Sequence, residues 1–197
     1  MVAGGLRRGR RRTDDLDRGP VADQLFRVRR VTPPEADDIC ASLAKVHHDA
    51  LRSGMALGAL DSMGRGVLER SYRDVVAALD GRNRLLLVAE EDEQLLGMAQ
   101  LVFSGATNAD HRAEVQRIGV AAAARGGGIG RQLMAAVEAA ARQSGVTLLW
   151  LTTHEGTDAC LFYEAIGYTK MGTMPNYSRR PDGTLWPGAF YFKELPA

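Results

Sequence analysis

The feature that most constrains the fold is a glycine-rich loop between a predicted strand and a predicted helix. The strand covers Ala113–Val120, the loop contains Arg125-Gly-Gly-Gly-Ile-Gly-Arg131, and the helix covers Gly128–Ser144 with one apolar stripe. Glycine lets a ligand approach the backbone closely, and the unpaired N–H groups at a helix start bind phosphate. The loop therefore predicts a phosphate site, with Arg125 and Arg131 adding positive charge at its rim.

Two common phosphate-binding motifs do not match this loop. A P-loop requires a lysine after its second glycine, and the segment contains none. A dinucleotide fingerprint requires glycine at its sixth position, which is Leu133 counted from Gly128 and Arg131 counted from Gly126. The spacing that remains is Arg-x-x-Gly-x-Gly directly after a strand.

The rest of the chain predicts one sheet with helices packed on it, in the order β-α-α-β-β-β-α-β-α-β-β. The run Thr147–Thr153 is nearly continuous in apolar residues, as in a strand covered on both faces. The other predicted strands are Leu25–Val31, Arg84–Glu90, Leu95–Phe103, Gly167–Met174 and Ala189–Leu195. Three further helices are predicted: one that follows Pro34, one over Gly66–Leu79 and one over Asp158–Ile166.

Composition favours a single globular domain. The chain has 197 residues, of which 45% are hydrophobic and 25% charged. No apolar run approaches the ~18 residues of a membrane span, and no apolar segment follows the basic amino terminus as in a secretory signal. Two distant cysteines, Cys40 and Cys160, suggest neither a disulfide framework nor a zinc site. We expect a cytoplasmic protein with no membrane partner.

The charge is unevenly distributed. Five arginines lie in the first thirteen residues, and the rest of the chain has 20 basic against 24 acidic side chains. Such a weakly acidic body does not suit a nucleic-acid backbone. We expect a disordered Arg-rich tail over residues 1–24 and a domain over residues 25–197, with a nucleic-acid or membrane patch as the alternative role of the tail.

Two segments carry a family resemblance. The spacing Arg125-x-x-Gly128-x-Gly130 resembles the pyrophosphate loop of the Gcn5-related N-acetyltransferase (GNAT) superfamily, and Ala159–Tyr168 is similar to that family's A-x-x-F-Y-E-x-x-G-F/Y element. Four further segments resemble the tabtoxin resistance acetyltransferase branch: Arg112–Gln116, Pro175–Tyr177, Pro181–Leu185 and Tyr191–Lys193. Two positions depart from these patterns: Gly156 stands where many members have asparagine, and Thr152 stands where the branch has an acid.

The resemblance implies an acetyl-CoA-dependent N-acetyltransferase that needs no metal. It implies a single mixed, mostly antiparallel sheet of about seven strands with about four helices, splayed at the acetyl-CoA site. The residues expected to bind acetyl-CoA are Ile118, Gly119, Val120, Arg125, Gly126, Gly127, Gly128, Ile129, Gly130, Arg131 and Tyr163.

Three residues are candidates for catalysis. Glu114 precedes the loop, where the resemblance also places an acid that serves as base; the alternative is a solvated carboxylate. His154 has a suitable ordinary pKa for a base, and the alternative is an exposed loop histidine. Tyr163 is the family's usual acid toward the departing sulfur, and the alternative is a core tyrosine. The segment His47-His48-Asp49 lacks the spacing of a metal site.

The acceptor is expected to be a small-molecule primary amine, such as an amine antibiotic or a toxin of the tabtoxin type, attacked directly in a ternary complex. Tyr177 and Trp186 in a predicted loop over 175–187 are candidates for one wall of its pocket. Two other functions stay open: a non-catalytic acyl-CoA-binding module, and an acetyltransferase of protein amines. Either a monomer or a homodimer is compatible with the sequence.

Overall fold

The predicted order of strands and helices is confirmed. A computed structural model describes residues 25–32, 36–55, 57–80 and 82–196, so the predicted tail over 1–24 lies outside the described residues. The strands are β1 (Arg27–Arg30), β2 (Arg84–Glu91), β3 (Gln94–Phe103), β4 (Arg112–Val120), β5 (Leu148–His154), β6 (Thr169–Arg179) and β7 (Leu185–Glu194). The helices are α1 (Ala36–Arg52), α2 (Arg65–Ala77), α3 (Ile129–Gln143) and α4 (Asp158–Ala165), with a 3₁₀ turn over Ala122–Ala124.

The strands form one mixed sheet in the order β1-β2-β3-β4-β5-β7-β6. All neighbours are antiparallel except β4 and β5, which pair in parallel only from Arg112–Glu114 to Leu148–Trp150. Beyond Glu114 the two strands separate, while β4 continues to Val120 and β5 to His154. The sheet is therefore splayed at the end where β4 leads into the glycine-rich loop, as the resemblance implied.

Two apolar clusters hold the helices on opposite faces of the sheet. The larger cluster packs α3 and α4 on residues of β2 to β5 and β7, and the smaller packs α1 and α2 on β2 and β3. Among the described residues, the smaller cluster contains none from β5, β6 or β7. Trp150 and Thr152 on that face of β5 are consequently half-buried, and the prediction that this strand is covered on both faces is wrong.

The predicted loop over 175–187 is instead mostly a hairpin. β6 continues to Arg179 and β7 begins at Leu185, so the connection covers only residues 180–184. A register shift between Met174 and Ser178, with Asn176 at φ 53°, interrupts the ladder. This bulge lets β6 continue past Pro175, where the sequence predicts an end.

None of the helices in the described part of the chain has both the length and the hydrophobicity of a membrane span.

Candidate functional site

The glycine-rich loop forms an open turn with free backbone donors. Gly126 and Gly128 have φ of 83° and 81°, a conformation that favours glycine, and both are exposed. Gly128 caps α3 without a side-chain hydrogen bond, and the Gln132 N–H donates to its carbonyl oxygen at 3.1 Å. The N–H groups of residues 129–131 precede that bond and lie in the unpaired first turn of the helix, so the turn can take an anion.

Arg125 is exposed beside the loop, and its side chain reaches back to the end of β4. Its Nε donates to the Val120 carbonyl oxygen at 3.1 Å, and its Nη2 donates to Ser53 Oγ at 2.5 Å. Ser53 directly follows α1, so one guanidinium joins the loop, the strand end and this helix. Arg131, in the first turn of α3, is exposed as predicted.

A bulge shapes the last residues of β4. Gln116 pairs with Gln100 and Gly119 with Met98, so that Arg117 and Ile118 together lie opposite Ala99. Ile118 packs against the larger cluster, whereas a Cβ added at Gly119 would lie 2.8 Å from Leu57 Cδ1. Since the described part of β5 pairs with β4 no further than Glu114, backbone groups of residues 115–120 face the splay, where they can hydrogen-bond a ligand.

Glu114 stands at the point where the splay begins. It pairs with Val102 on one side and Trp150 on the other, and these residues line a cavity of about 120 Å³. The half-buried carboxylate accepts a hydrogen bond from Gln116 Nε2 through Oε2 at 2.8 Å. This contact leaves the Oε1 atom of Glu114 available to accept a hydrogen bond from another donor.

A family comparison matches this architecture. Residues 59–168, which include the bulged strand, the glycine-rich loop and α4, match the model of the Acetyltransferase (GNAT) family. The chain belongs to this family. It is therefore an acetyl-CoA-dependent N-acetyltransferase.

Individual acetyltransferases support this assignment. An uncharacterised N-acetyltransferase of Azospirillum brasilense, encoded in the hisH-hisA intergenic region, is 32% identical over 130 residues, 65% of this chain and 75% of that protein. Ribosomal-protein-alanine N-acetyltransferase of Brucella melitensis is 26% identical with a TM-score of 0.68, covering 85% of this chain and 99% of that one. The yncA protein of Salmonella typhimurium, solved with its cofactor acetyl-CoA, shares the fold at 18% identity and a TM-score of 0.66. The match covers 88% of this chain and 95% of that one.

The loop of this acetyltransferase fits a phosphate-bearing cofactor. Cβ atoms built at Gly126 and Gly128 would meet no heavy atom within 4 Å, so the turn is open above its backbone. Bound acetyl-CoA supplies the activated acetyl thioester. Within the described residues, no group of three or more His, Cys, Asp or Glu side chains could hold a metal ion.

Tyr163 lies in α4 with only 5% of its surface exposed. Its ring contacts Phe162, Tyr168 and Tyr191 at centroid distances of 5.3, 5.8 and 5.9 Å. Burial, with a smaller contribution from Cys160, raises the pKa of Tyr163 above its ordinary value. The hydroxyl therefore keeps its proton at neutral pH and can act as a hydrogen-bond donor.

His154 is buried, so its interpretation as an exposed loop residue is wrong. It ends β5 with 8% of its surface exposed, and its Nε2 lies 2.9 Å from Ser178 Oγ. Burial and the nearby Arg180 lower the pKa of His154. The contact with Ser178 occupies one of the two ring nitrogens of His154.

The two aromatic residues proposed as a pocket wall lie on the β6–β7 hairpin. Tyr177 packs on Phe190 at a centroid distance of 5.0 Å, and its hydroxyl lies 3.5 Å from Thr152 Oγ1. Trp186 donates through Nε1 to the Glu155 carbonyl oxygen at 2.9 Å, with the Arg180 guanidinium 4.2 Å above its ring. Tyr177 thus borders the half-buried face of β5.

The sequence did not predict a buried polar cluster that lies between the sheet and the two helices, α1 and α2, that cover it. His47 Nδ1 lies 2.8 Å from the Tyr72 hydroxyl, and the Arg117 guanidinium lies 5.5 Å from the Tyr72 ring centroid. Arg84 Nη1 donates to Gln100 Oε1 at 2.7 Å. A signal for this cluster existed in Gln100, the polar residue within the apolar run Leu95–Phe103.

Proposed function

We propose that this acetyltransferase moves the acetyl group of acetyl-CoA to a primary amine of a small molecule by direct attack in a ternary complex. The observation that carries the proposal is the half-buried face where the splay begins: Glu114 of β4 pairs there with Trp150, and Thr152 follows along β5. A face of this kind has room for an acceptor and offers it a carboxylate.

The strand end and the loop are assigned to acetyl-CoA. Ile118, Gly119 and Val120 offer backbone groups to the acyl portion. The first turn of α3, with Gly126–Gly130 before and within it, takes the pyrophosphate, because free N–H groups and the helix dipole both favour an anion there. Arg125 positions the loop against β4, and Arg131 adds charge.

Glu114 is assigned as the base. An alkyl amine of pKa ~10.4 is neutral only about once in 2,500 molecules at pH 7, so a group that removes its proton raises the reactive fraction. The proton of the ammonium passes to Glu114 Oε1, directly or through one water. The neutral nitrogen then forms a bond to the acetyl carbon as the carbon–sulfur bond breaks, and the second proton that the nitrogen loses passes to the departing thiolate.

Tyr163 is assigned to the departing sulfur. Its raised pKa makes full proton transfer to a thiolate unfavourable, so the hydroxyl stabilises the developing negative charge by hydrogen bonding. His154 is retained only as a secondary candidate for the base, because its Nε2 already contacts Ser178.

A protein amine is the second candidate acceptor. The Brucella protein, 26% identical, is by name a ribosomal-protein-alanine N-acetyltransferase. Tabtoxin-type amines are the first candidate because segments from Arg112 onward resemble the tabtoxin resistance branch. The half-buried face bordered by Tyr177 favours a compact acceptor over an extended chain.

Release of free thiol from acetyl-CoA tests these alternatives. The protein is assayed with amine antibiotics, polyamines, amino acids and peptides beginning with alanine, and acetylated products are identified by mass. Turnover with small amines supports the proposal, and turnover confined to peptides supports the second candidate. Binding of acetyl-CoA without turnover of any acceptor would instead indicate an acyl-CoA-binding module.

The domain assignment is part of the proposal. We infer that residues 25–197 suffice for acetyl transfer. Removal of residues 1–24 should leave kcat and the Tm unchanged, whereas a Tm several degrees lower would show that the segment stabilises the domain.

A further inference from the structure

Three buried polar atoms lie without hydrogen-bond partners among the described residues on the sheet face that α1 and α2 cover. They are Arg117 Nη1, Gln100 Nε2 and His47 Nε2. Gln100 is 0% and His47 2% exposed. Because buried polar groups in proteins are nearly always paired, three such atoms in one cluster point to a ligand that pairs them.

All three atoms are donors. Arg84 can only donate, and its contact with Gln100 Oε1 fixes the amide so that Nε2 carries the free hydrogens. The Tyr72 hydroxyl lies 2.8 Å from His47 Nδ1 and 3.1 Å from Met98 Sδ. An imidazole nitrogen is a stronger acceptor than a thioether, so we assign the Tyr72 hydroxyl as the donor and Nδ1 as its acceptor. The single proton of the neutral imidazole is then on Nε2. Burial keeps His47 neutral near pH 7, since it lowers the pKa to about 4.

The bulge in β4 brings these donors together. In a regular strand Arg117 would face α3, opposite to Gln116, but with φ 48° it lies over the Tyr72 ring instead. Gln100 pairs with Gln116, the neighbour of Arg117, and lies two residues from Met98, which contacts Tyr72. A non-glycine residue with positive φ inside a strand is strained, and such strain is concentrated at ligand sites.

The charge of the cluster suits an anion. Burial lowers the pKa of Arg84, and the nearby positive charge of Arg117 lowers it further, while the carboxylate of Glu114 acts in the opposite direction. Glu114 takes its hydrogen bond from Gln116 rather than from either arginine. The guanidinium of Arg117 already hydrogen-bonds to Tyr72, whereas its buried Nη1 has no partner among the described residues. This Nη1 is left to donate to an anion such as a carboxylate.

We propose that Arg117, Gln100 and His47 form an anion subsite, and that the amine acceptor carries a carboxylate which this subsite binds. The inference rests on the proposed transfer to an amine and adds the chemical class of that amine. Arg117 is half-buried, as are Gln116 and Glu114 on the same strand. A carboxylate held at Arg117 would therefore tether the acceptor close to the proposed base.

Matched acceptors test the subsite by acetyl transfer. The panel contains glycine, β-alanine, 4-aminobutyrate and 5-aminopentanoate, each compared with its carboxamide. We expect at least one chain length to show a kcat/KM about tenfold or more above its carboxamide, which corresponds to about 1.4 kcal/mol. Arg117→Gln should abolish this preference, Arg117→Lys should restore part of it, and the distant exposed Arg142→Gln should keep it. Equal rates for acid and amide at every length would overturn the inference.

A binding measurement separates this inference from the proposed function. N-acetyl derivatives of the four amino acids and of their carboxamides are titrated calorimetrically into the full protein without acetyl-CoA. We expect the carboxylates to bind more tightly, with the difference lost in Arg117→Gln. If no amine is acetylated but this difference is present, the subsite stands and the proposed function fails. If amines are acetylated without any difference between acid and amide, the function stands and the subsite is wrong.

Discussion

The guanidinium of Arg125 closes the glycine-rich loop onto the end of β4 by donating from Nε to the Val120 carbonyl oxygen at 3.1 Å. A second bond from Nη2 to Ser53 Oγ attaches the same side chain to the segment that follows α1. Sequence analysis placed Arg125 at the rim as a source of positive charge. In the structure it also holds together the three segments that border the proposed acetyl-CoA site.

We expect Arg125→Gln to raise the Kd of acetyl-CoA about 3- to 10-fold, because the loop loses two positioning hydrogen bonds together with one charge. Arg131→Gln removes the same charge from an exposed position and should raise the Kd about twofold or less. Calorimetric titration measures both variants. Equal losses would mean that charge alone accounts for the effect.

Gly128→Glu should weaken acetyl-CoA binding at least tenfold, about 1.4 kcal/mol, by placing a carboxylate against the pyrophosphate. Gly128→Ala is the matched control, since φ of 81° strains either side chain but alanine adds no charge. The difference in Kd between the two folded variants reports the repulsion. No difference would remove the phosphate role of this loop.

The buried imidazole of His47 predicts a loss of stability in acid. The pKa of His47 is lowered from its ordinary value of 6.5 to about 4 in the folded state. Burial is the main cause, followed by the charges of Arg117 and His48. Between these values the unfolded chain binds more protons, so the free energy of unfolding falls as pH falls from about 6.5 to 4. The loss from this residue is up to about 3 kcal/mol.

Urea unfolding at pH 7, 5.5 and 4.5 measures this loss. We expect His47→Asn to be less stable at pH 7 but to lose less stability between pH 7 and 4.5 than the natural chain. His111→Asn, at an exposed position that does not contribute to the lowered pKa of His47, should keep the natural slope. An unchanged slope in His47→Asn would show that other groups cause the acid sensitivity.

Glu114→Gln should lower kcat about 10- to 100-fold at pH 7, and the deficit should narrow as pH rises because more of the amine is then already neutral. The exposed Glu93→Gln is the control for the change of charge. Rates are compared from pH 6.5 to 9.5. A deficit independent of pH would make Glu114 a positioning residue rather than the base.

Local signals predicted the fold best where glycine and periodicity act together. The bounds of α3 were predicted within one residue because Gly128 begins it and Gly145, with φ 78°, follows its end. The β6–β7 hairpin was predicted too short, because β6 is exposed along almost its whole length and contains Pro175. Such a strand lacks an apolar pattern and forms because it pairs with β7. No local pattern in the sequence predicts this pairing.

The candidate site was predicted in part for the same reason. The loop and Tyr163 lie in recognisable segments, whereas His154 is buried in contact with Ser178, which is 24 residues away in the sequence. The cluster around Tyr72 depends on a bulge that turns Arg117 toward α2, and on contacts among α1, α2 and β3. Periodicity within one segment cannot predict such distant contacts.

The most direct test of the account is the kcat of Tyr163→Phe measured beside its KM for acetyl-CoA. Removal of the hydroxyl should lower kcat by roughly 10²–10³ and leave KM nearly unchanged, because the lost hydrogen bond forms to charge that develops only in the transition state. Tyr168→Phe removes another buried hydroxyl from the same ring cluster and should change kcat by no more than about threefold. Full activity in Tyr163→Phe, or a loss confined to KM, would contradict the assigned role of this residue in catalysis.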